Sequence, residues 1–431
     1  MLSRFSTGGF EAFAVGGCVR DSILGQKPHD WDITTNALPK DTKELFSNTK
    51  VIDTGLKHGT VTIIIEGKPV EVTTYRLDGN YTDSRRPDSV TFTNELALDL
   101  SRRDFTINAM AYNPKIGLID KFNSLSDLNS KLIRAVGNAD TRFSEDALRI
   151  MRALRFSSSL GFNITEDTAK SIHKNKDLLK EIAAERIFSE LNKLIVGKKA
   201  GRILLEYRDV FSVFIPEILP TIDQKQCGEK HCYNVWEHIC HTVDNIEPVK
   251  ELRLTMLLHD LGKAETAKLD EYGNSIYPNH AAVGAETAKN VLSRLKSDNK
   301  TLNTVVKLVS MHDFEIPKSK IELKRLLKTV TPNEFEMLLK IKTADRGALS
   351  PNYRDVSEQV KKAKCFLKEI LADNECYSLQ HLNINGDVLS KKGFTGVNIG
   401  KKLDELLEAV IEGKCQNTRK ALLEFIDKNT L

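Results

Sequence analysis

The chain has 431 residues, of which 40% are hydrophobic, with seven cysteines and a formal net charge of +4. That length predicts about three domains with packed cores, and the mild basic excess permits an RNA partner on a local basic face without requiring one. Cysteines without CxxC pairs argue against a disulfide framework, no apolar run is long enough to cross a bilayer, and Met1-Leu2-Ser3-Arg4 is not followed by the apolar stretch of a secretory leader. The expectation is a cytoplasmic protein with free thiols and no membrane partner.

From the start of the chain, residues 10–15 read as an apolar strand, Gly16-Gly17 as a turn and residues 18–24 as a helix. A glycine turn opening a helix lets backbone amides approach a triphosphate, and Arg20 in the first turn is placed to meet phosphate oxygens. His29-Asp30-Trp31-Asp32-Ile33-Thr34 reads as the next strand. Residues two apart in a strand share a face, so Asp30 and Asp32 project together and Trp31 points to the opposite, packed side. Two carboxylates on one face repel unless a cation lies between them, and Mg²⁺ takes one or two carboxylates plus substrate phosphates. Asp-x-Asp alone is common on solvated strand edges; beside a phosphate-holding turn it points to nucleotidyl transfer. GGCVRD at 16–21 and DWD at 30–32 resemble the class II tRNA nucleotidyltransferases (CCA-adding enzymes) and the bacterial poly(A) polymerases related to them. The resemblance implies that Gly17 and Arg20 hold a triphosphate and that Asp30 and Asp32 hold catalytic Mg²⁺.

Residues 60–65 and 70–75 flank Glu66-Gly67-Lys68-Pro69, a hairpin signal with β-branched residues on both arms. Glu71 alternates with Val70 and Val72, so it can face the aspartates while the valines face the core. The resemblance implies a third catalytic carboxylate from such a strand; the plain alternative is a solvent-facing glutamate. Tyr81 to Asp88 is polar and turn-rich, a linker by composition. By resemblance it is the loop that assists the switch from C to A addition, which favours complete CCA addition over CC addition. Arg102-Arg103-Asp104 precede Phe105, Ile107, Ala109 and Met110, read as an apolar helical stretch. The match to the family's RRDxT motif implies Arg103 on the nucleotide and Asp104 near its ribose, where a carboxylate accepts from a 2′-hydroxyl.

Ser144-Glu145-Asp146 reads as a helix cap with acids in the first turn, followed by a buried stripe at Leu148, Met151 and Leu154. Asp146 and Arg149 have the i,i+3 spacing of an ordinary helical ion pair. They also suit base reading. Cytosine and adenine each present an exocyclic amine beside a ring-nitrogen acceptor. A carboxylate accepts from the first and a guanidinium donates to the second, whereas uracil and guanine set a carbonyl against the carboxylate. EDALR at 145–149 fits the family's EDxxR motif, and the resemblance assigns this role to Asp146 and Arg149. Arg152 lies nearly one turn further and can reach the triphosphate; Arg155 has rotated about half a turn from Asp146. Residues 160–220 read as helical and resemble the family's neck, with Lys193, Lys198 and Lys199 as solvated charge.

Six of the ten histidines fall between His231 and His312. His259-Asp260 closes an apolar run, His238 lies in another helical pattern, and His280, His312 and Asp345 follow. A lone histidine on an apolar helix is more commonly a core residue, but imidazoles grouped with carboxylates suit Mn, Fe, Ni or Zn as well as Mg. With HDLGK at 259–263, the segment looks like an HD-superfamily metal-dependent phosphohydrolase. The resemblance makes His238, His259, Asp260 and Asp345 core ligands. His280 and His312 match the extra ligands of the two-metal form, which clamps a phosphate. A decayed domain kept for packing is the other reading. Beyond it, residues 358–371, 402–411 and 418–426 read as helices. Asn385-Gly386-Asp387 reads as a turn, and residues 396–400 as a glycine-broken segment before Lys401-Lys402.

The expected fold is α+β. A nucleotidyltransferase head with a mixed or antiparallel sheet spans 1–142, a helical neck 143–222, an all-helical HD domain 223–351 and a helical, tRNA-binding tail 352–431. The implied activity is CCA addition to tRNA 3′ ends from CTP and ATP with release of pyrophosphate. It uses Mg²⁺ in the head and a second divalent metal at the HD site, with phosphohydrolysis as a second activity. The same motifs serve poly(A) polymerases and enzymes that add only CC or only A. From a different class, an HD phosphohydrolase with an RNA-binding head is the alternative.

Overall fold

The structure, a computed structural model, describes residues 1–79 and 89–428, so the stretch expected to assist the C-to-A switch lies outside the described residues. The chain divides into two compact units, Met1–Leu219 with Val291–Asp298, and Pro220–Asn290 with Asn299–Leu431.

In the first unit the strands are β1 (Ala12–Val15), β2 (Trp31–Thr35), β3 (Val51–Gly55), β4 (Thr60–Ile65), β5 (Lys68–Thr74), β6 (Arg76–Asp78), β7 (Val90–Phe92), β8 (Met110–Asn113) and β9 (Gly117–Asp120), followed by a short parallel pair, Leu132–Ile133 with Asn163–Ile164. β6 and β7 form a separate ribbon, and the other seven of β1–β9 make one sheet of order β3-β4-β5-β2-β1-β8-β9. In that sheet β2 and β5 are parallel while the remaining pairs are antiparallel. With the helices that follow, this is the expected α+β fold with a mixed sheet. The β4–β5 hairpin turns on Glu66 and Gly67, both at positive φ, the two-residue form that suits strand twist. Lys68 and Pro69 therefore belong to β5 rather than to the turn. Phe13, Val15, Tyr75, Leu100 and Ala111 form a buried cluster on this sheet. Truncating Phe13 to alanine would cost roughly 3–5 kcal/mol, as for a buried aromatic.

Three expectations change here. Trp31 is 45% exposed, not packed: it is the first residue of β2, ahead of the buried Ile33-Thr34-Thr35. The stretch from Phe105 to Met110 is not a helix, because Thr106–Asn108 makes one 3₁₀ turn and Met110 opens β8. Pairing of Val15 with Ala111 takes up the backbone groups that a helix would have used. Ser144 is not a cap: it lies in the last turn of the helix Ala139–Glu145, and its hydroxyl donates to the Thr141 carbonyl. Asp146 lies between that helix and the next, Leu148–Leu160, whose N-cap is Ala147, and its Oδ1 accepts from the Leu148 amide at 3.1 Å. Leu148, Met151 and Leu154 are buried as the spacing required.

In the second unit the helices Val235–Asn245, Lys250–Leu258, Asn299–Met311 and Pro332–Gly347 pack together. Asn234 and Glu237 form a capping box that fixes the start of the first. The tail helices Gly386–Lys391, Val397–Ile411 and Arg419–Lys428 enclose Leu389, Leu406, Leu407, Leu422 and Ile426. Asn385 proves to be a helix N-cap rather than a free turn, its side chain accepting from the Val388 amide. The next helix begins at Val397, so Gly400 lies inside it rather than ahead of it. All seven cysteines are free, and no described helix is long and apolar enough to cross a membrane.

Candidate functional site

β1 ends at Val15 and is followed by Gly16, whose φ of +81° is a conformation that residues with a side chain rarely adopt. A Cβ at this position would also lie 3.0 Å from Arg103 Nη1. The turn can therefore bring the helix Gly17–Ile23 up against an arginine only as glycine. Beside it is a cleft of about 360 Å³ whose lining includes Gly17, Arg20, Asp30, Asp32, Arg103, Asp104, Arg152 and Arg155.

Asp32 and Glu71 are direct register partners on the parallel strands β2 and β5, so their side chains leave the sheet on one face. Burial raises the Asp32 carboxyl above its ordinary range, and the negative charges of Glu71 and Asp30 add to this, opposed by Arg103. A crowded, partly buried oxygen set of this kind fits a hard divalent cation that shares its coordination shell with phosphate. Glu71 itself is exposed and lies outside the cleft lining.

The arginines are held by partners the sequence reading did not identify. Arg20 donates to Asn108 Oδ1 at 2.7 Å and to Asp21 at 2.8 Å. Arg103 is ion-paired to the buried Asp99 at 3.4 Å; burial lowers its pKa, partly offset by Asp99. Asp104 Oδ2 accepts from Arg152 Nε at 2.8 Å and Nη2 at 2.6 Å. Its Oδ1 accepts from Asn108 Nδ2 at 3.1 Å and the Phe105 amide at 2.8 Å. Burial opposes the charge on Asp104, yet Arg152 and the Asn108 hydrogen bond hold its carboxyl at about 2. With four donors on its two oxygens, Asp104 serves chiefly to hold Arg152 toward the cleft. Arg155 pairs with Glu190 at 3.1 Å. The Phe156 ring lies under Arg20, Arg152 and Arg155 at 5.1, 5.4 and 4.1 Å, a shared cation–π platform. The available signals were slight: Asn108 is four residues after Asp104, and Phe156 follows Arg155.

Asp146 and Arg149 do not form the expected helical ion pair. Asp146 sits at an extended break between two helices, with φ −139°, and its Oδ2 is 3.6 Å from Arg186. Arg149 Nη1 instead reaches Glu145 at 2.6 Å, and its Nη2 donates to the Arg102 carbonyl at 3.2 Å. Burial raises the Asp146 carboxyl, with Arg186 and Arg149 opposing. Neither residue belongs to the lining of the arginine cleft.

The second unit contains a separate centre. Asp260 belongs to two ligand groups, one with His238 and His259 and the other with His280 and His312; within each, the ligand atoms lie within 4.8 Å of one another. Asp345 Oδ1 completes the first, 2.9 Å from His238 Nε2 and 3.8 Å from His259 Nε2. His280 and His312 face each other with Nε2 atoms 3.2 Å apart. The Nδ1 atoms of His259, His280 and His312 lie 2.8, 2.8 and 2.7 Å from the carbonyls of Met256, Tyr277 and Val309. Donation from Nδ1–H leaves each Nε2 lone pair aimed inward, the arrangement that metal-ligating imidazoles use. Converging lone pairs and buried carboxylates repel one another unless a cation lies among them, so the donor set fits divalent metal. Burial opposes a charge on His259, but Asp260 and Asp345 pull its pKa up to about 10, the same field a metal would answer. Gly262 allows this convergence. A Cβ there would lie 2.3 Å from the His280 carbonyl, so only glycine lets that helix start against the His259-Asp260 turn. All six residues expected as ligands are thus brought together. The adjoining cavity, about 720 Å³, is also lined by His231 and Lys263, to which the sequence reading gave no role.

Three family descriptions match the chain: the poly A polymerase head domain over residues 12–134, a probable RNA and SrmB-binding site of polymerase A over 161–221, and a putative tRNA nucleotidyltransferase domain 2 over 280–426. The chain is 33% identical over 432 residues to the CCA-adding enzyme of Lactobacillus helveticus, covering 99% of this chain and 95% of the relative. It is 35% identical over 427 residues to the CCA-adding enzyme of Lactobacillus delbrueckii subsp. bulgaricus, covering 99% and 96%. The solved structure of the Bacillus stearothermophilus CCA-adding enzyme in complex with CTP superposes with a TM-score of 0.76 at 29% identity, covering 99% of this chain and 95% of that one.

Proposed function

The chain belongs to the class II CCA-adding enzyme and poly(A) polymerase family, and from that premise we propose that it builds C-C-A on tRNA 3′ ends from CTP and ATP. The observation that carries this reading is the cleft in which Asp30 and Asp32 face the Gly16-Gly17 turn and the arginines around it.

The tRNA 3′-hydroxyl attacks the α-phosphorus of the nucleotide, the new O–P bond forms, and pyrophosphate leaves. Mg²⁺, when bound at Asp30 and Asp32, supplies the charge that activates the hydroxyl and stabilises the leaving group. Glu71 adds negative charge beside Asp32 and helps draw the cation. The Gly17 amide, Arg20 and Arg152 hold the triphosphate, with Arg155 behind them on the Phe156 ring. Arg103 contacts the nucleotide. Asp146 accepts from the amine of cytosine or adenine, and Arg149 donates to the neighbouring ring nitrogen. This replaces a nucleic acid template by two side chains. A head at 1–142, neck at 143–222 and tail at 352–431 would share the tRNA. The test uses tRNA lacking its terminal three nucleotides. CTP alone adds two residues, ATP then adds one, and growth stops. Long A tracts would indicate a poly(A) polymerase, a halt after CC or addition of A alone would indicate a partial enzyme, and no incorporation would leave only the hydrolase reading.

A second activity is favoured by the six converging ligands of residues 223–351: metal-dependent phosphoester hydrolysis. When bound there, a divalent pair would supply a polarised phosphate and an activated water. The four histidines, Asp260 and Asp345 would hold it. Uptake of Mn²⁺ together with hydrolysis of p-nitrophenyl phosphate or a 2′,3′-cyclic nucleotide tests this; uptake of no metal rejects it.

A further inference from the structure

The histidine cavity has a wall that the metal ligands do not account for. His231 lines it, seven residues before His238 and ahead of that residue's helix. It belongs to neither ligand group. Its ring meets that of His238 edge-on, with centroids 6.0 Å apart. Its Nδ1 is buried and makes no hydrogen bond among the described residues, an arrangement that costs free energy unless something else fills the role. Lys263 is also buried, only 5% exposed, and lines the same cavity. Its ammonium is 2.7 Å from Asp260 Oδ2 and 3.0 Å from Gln226 Oε1, over the Tyr277 ring at 4.9 Å. A buried cation and an unmatched imidazole therefore share a cavity with a carboxylate that belongs to both ligand groups.

We propose that His231 and Lys263 are the phosphate-holding groups of this cavity, gripping the nonbridging oxygens of a phosphoester presented to the ligand centre. The inference rests on the hydrolase reading above and adds the residues that bind its substrate. An imidazole carries an N–H in either ordinary protonation state, so His231 has a donor to give. Lys263 supplies a point charge whose bonds to Asp260 and Gln226 leave one ammonium hydrogen for phosphate, and its bond to Asp260 keeps that charge beside the centre. A dianionic phosphate meets the Lys263 cation directly beside the ligand centre, which is the charge pattern a phosphomonoester requires.

The test loads the full chain with Mn²⁺ and measures binding of inorganic phosphate by calorimetry. Every protein carries Asp32→Ala, so that the head cleft does not compete for metal, and phosphate held by the head arginines is the same in every variant compared. His231→Ala should weaken phosphate binding roughly tenfold or more, the effect of losing a hydrogen bond to a charged group. Mn²⁺ content should be unchanged, and His231→Gln, which keeps an N–H donor, should recover part of the affinity. Lys263→Met, checked by circular dichroism for folding, should weaken phosphate binding further. Unchanged phosphate affinity in His231→Ala overturns the inference, as does loss of Mn²⁺, which would make His231 a ligand. If the parent protein takes up no Mn²⁺, the hydrolase reading fails and the inference fails with it. If it takes up Mn²⁺ and binds phosphate indifferently to His231, only the inference fails.

Discussion

Asp104 and Arg152, 48 residues apart, are joined by two hydrogen bonds onto a single carboxylate oxygen. The bond ties the RRDFT motif to the helix Leu148–Leu160, so the side of the cleft proposed to hold the triphosphate is positioned by the segment that also carries Asp146 and Arg149. Asp104→Ala leaves the Arg152 charge without its partner and should destabilise the first unit by roughly 3 kcal/mol. It should also raise KM for CTP. Thermal unfolding and steady-state kinetics report the two effects separately.

The same carboxylate sets an acid limit. Asp104 is held at about 2 when folded, against about 4 in an unfolded chain. Its stabilising contribution is complete above the unfolded value and is lost as pH falls from about 4 through 2, to the extent of ~2 kcal/mol. Asp104→Asn should lose this component at every pH. Acid titration followed by circular dichroism should then show wild type and variant converging toward pH 2; curves that remain parallel would show that Asp104 is not depressed.

Asp32→Ala removes one of the two carboxylates proposed to hold Mg²⁺ in the head cleft and should abolish nucleotide incorporation on tRNA. It should leave Mn²⁺ uptake by the histidine centre intact, because that centre's ligands all come from the second unit. Loss of both properties in one soluble, folded variant would refute their separation.

Asp146→Ala should lower discrimination between CTP and UTP by one order of magnitude or more, the value of one directed base contact. Competition with labelled CTP and UTP on the same tRNA measures the ratio directly, and an unchanged ratio would remove Asp146 from base reading.

Gly262→Ala places a methyl 2.3 Å from the His280 carbonyl. The helix His280–Arg294 must shift, and the second ligand group with it. Mn²⁺ stoichiometry by mass spectrometry should fall, while incorporation of C and A should be retained.

Much of this architecture was legible where the chemistry is packed into a short run. Asp30-x-Asp32 was legible only in part, because β2 begins at Trp31 and leaves Asp30 ahead of the strand although both aspartates line one cleft, and HDLGK gave a histidine-aspartate pair and the glycine that lets the His280 helix approach. What was not legible depends on distant chain. An apolar run such as Phe105 to Met110 does not distinguish a helix from a strand by its period, and only its pairing with β1 decides. Asp146 and Arg149 had the spacing of a helical pair, but a helix break at Asp146 hands Arg149 to Glu145. Phe156, Asn108 and His231 have no motif of their own; their roles come from what the fold brings against them.

A crystal structure with CTP and Mg²⁺ bound is the most direct test of the account. The account predicts an ion held by Asp30, Asp32 and the triphosphate, with the cytosine amine facing Asp146 and its ring nitrogen facing Arg149. A nucleotide bound in the cleft with those two aspartates carrying no metal, or with its base turned from Asp146, would contradict it.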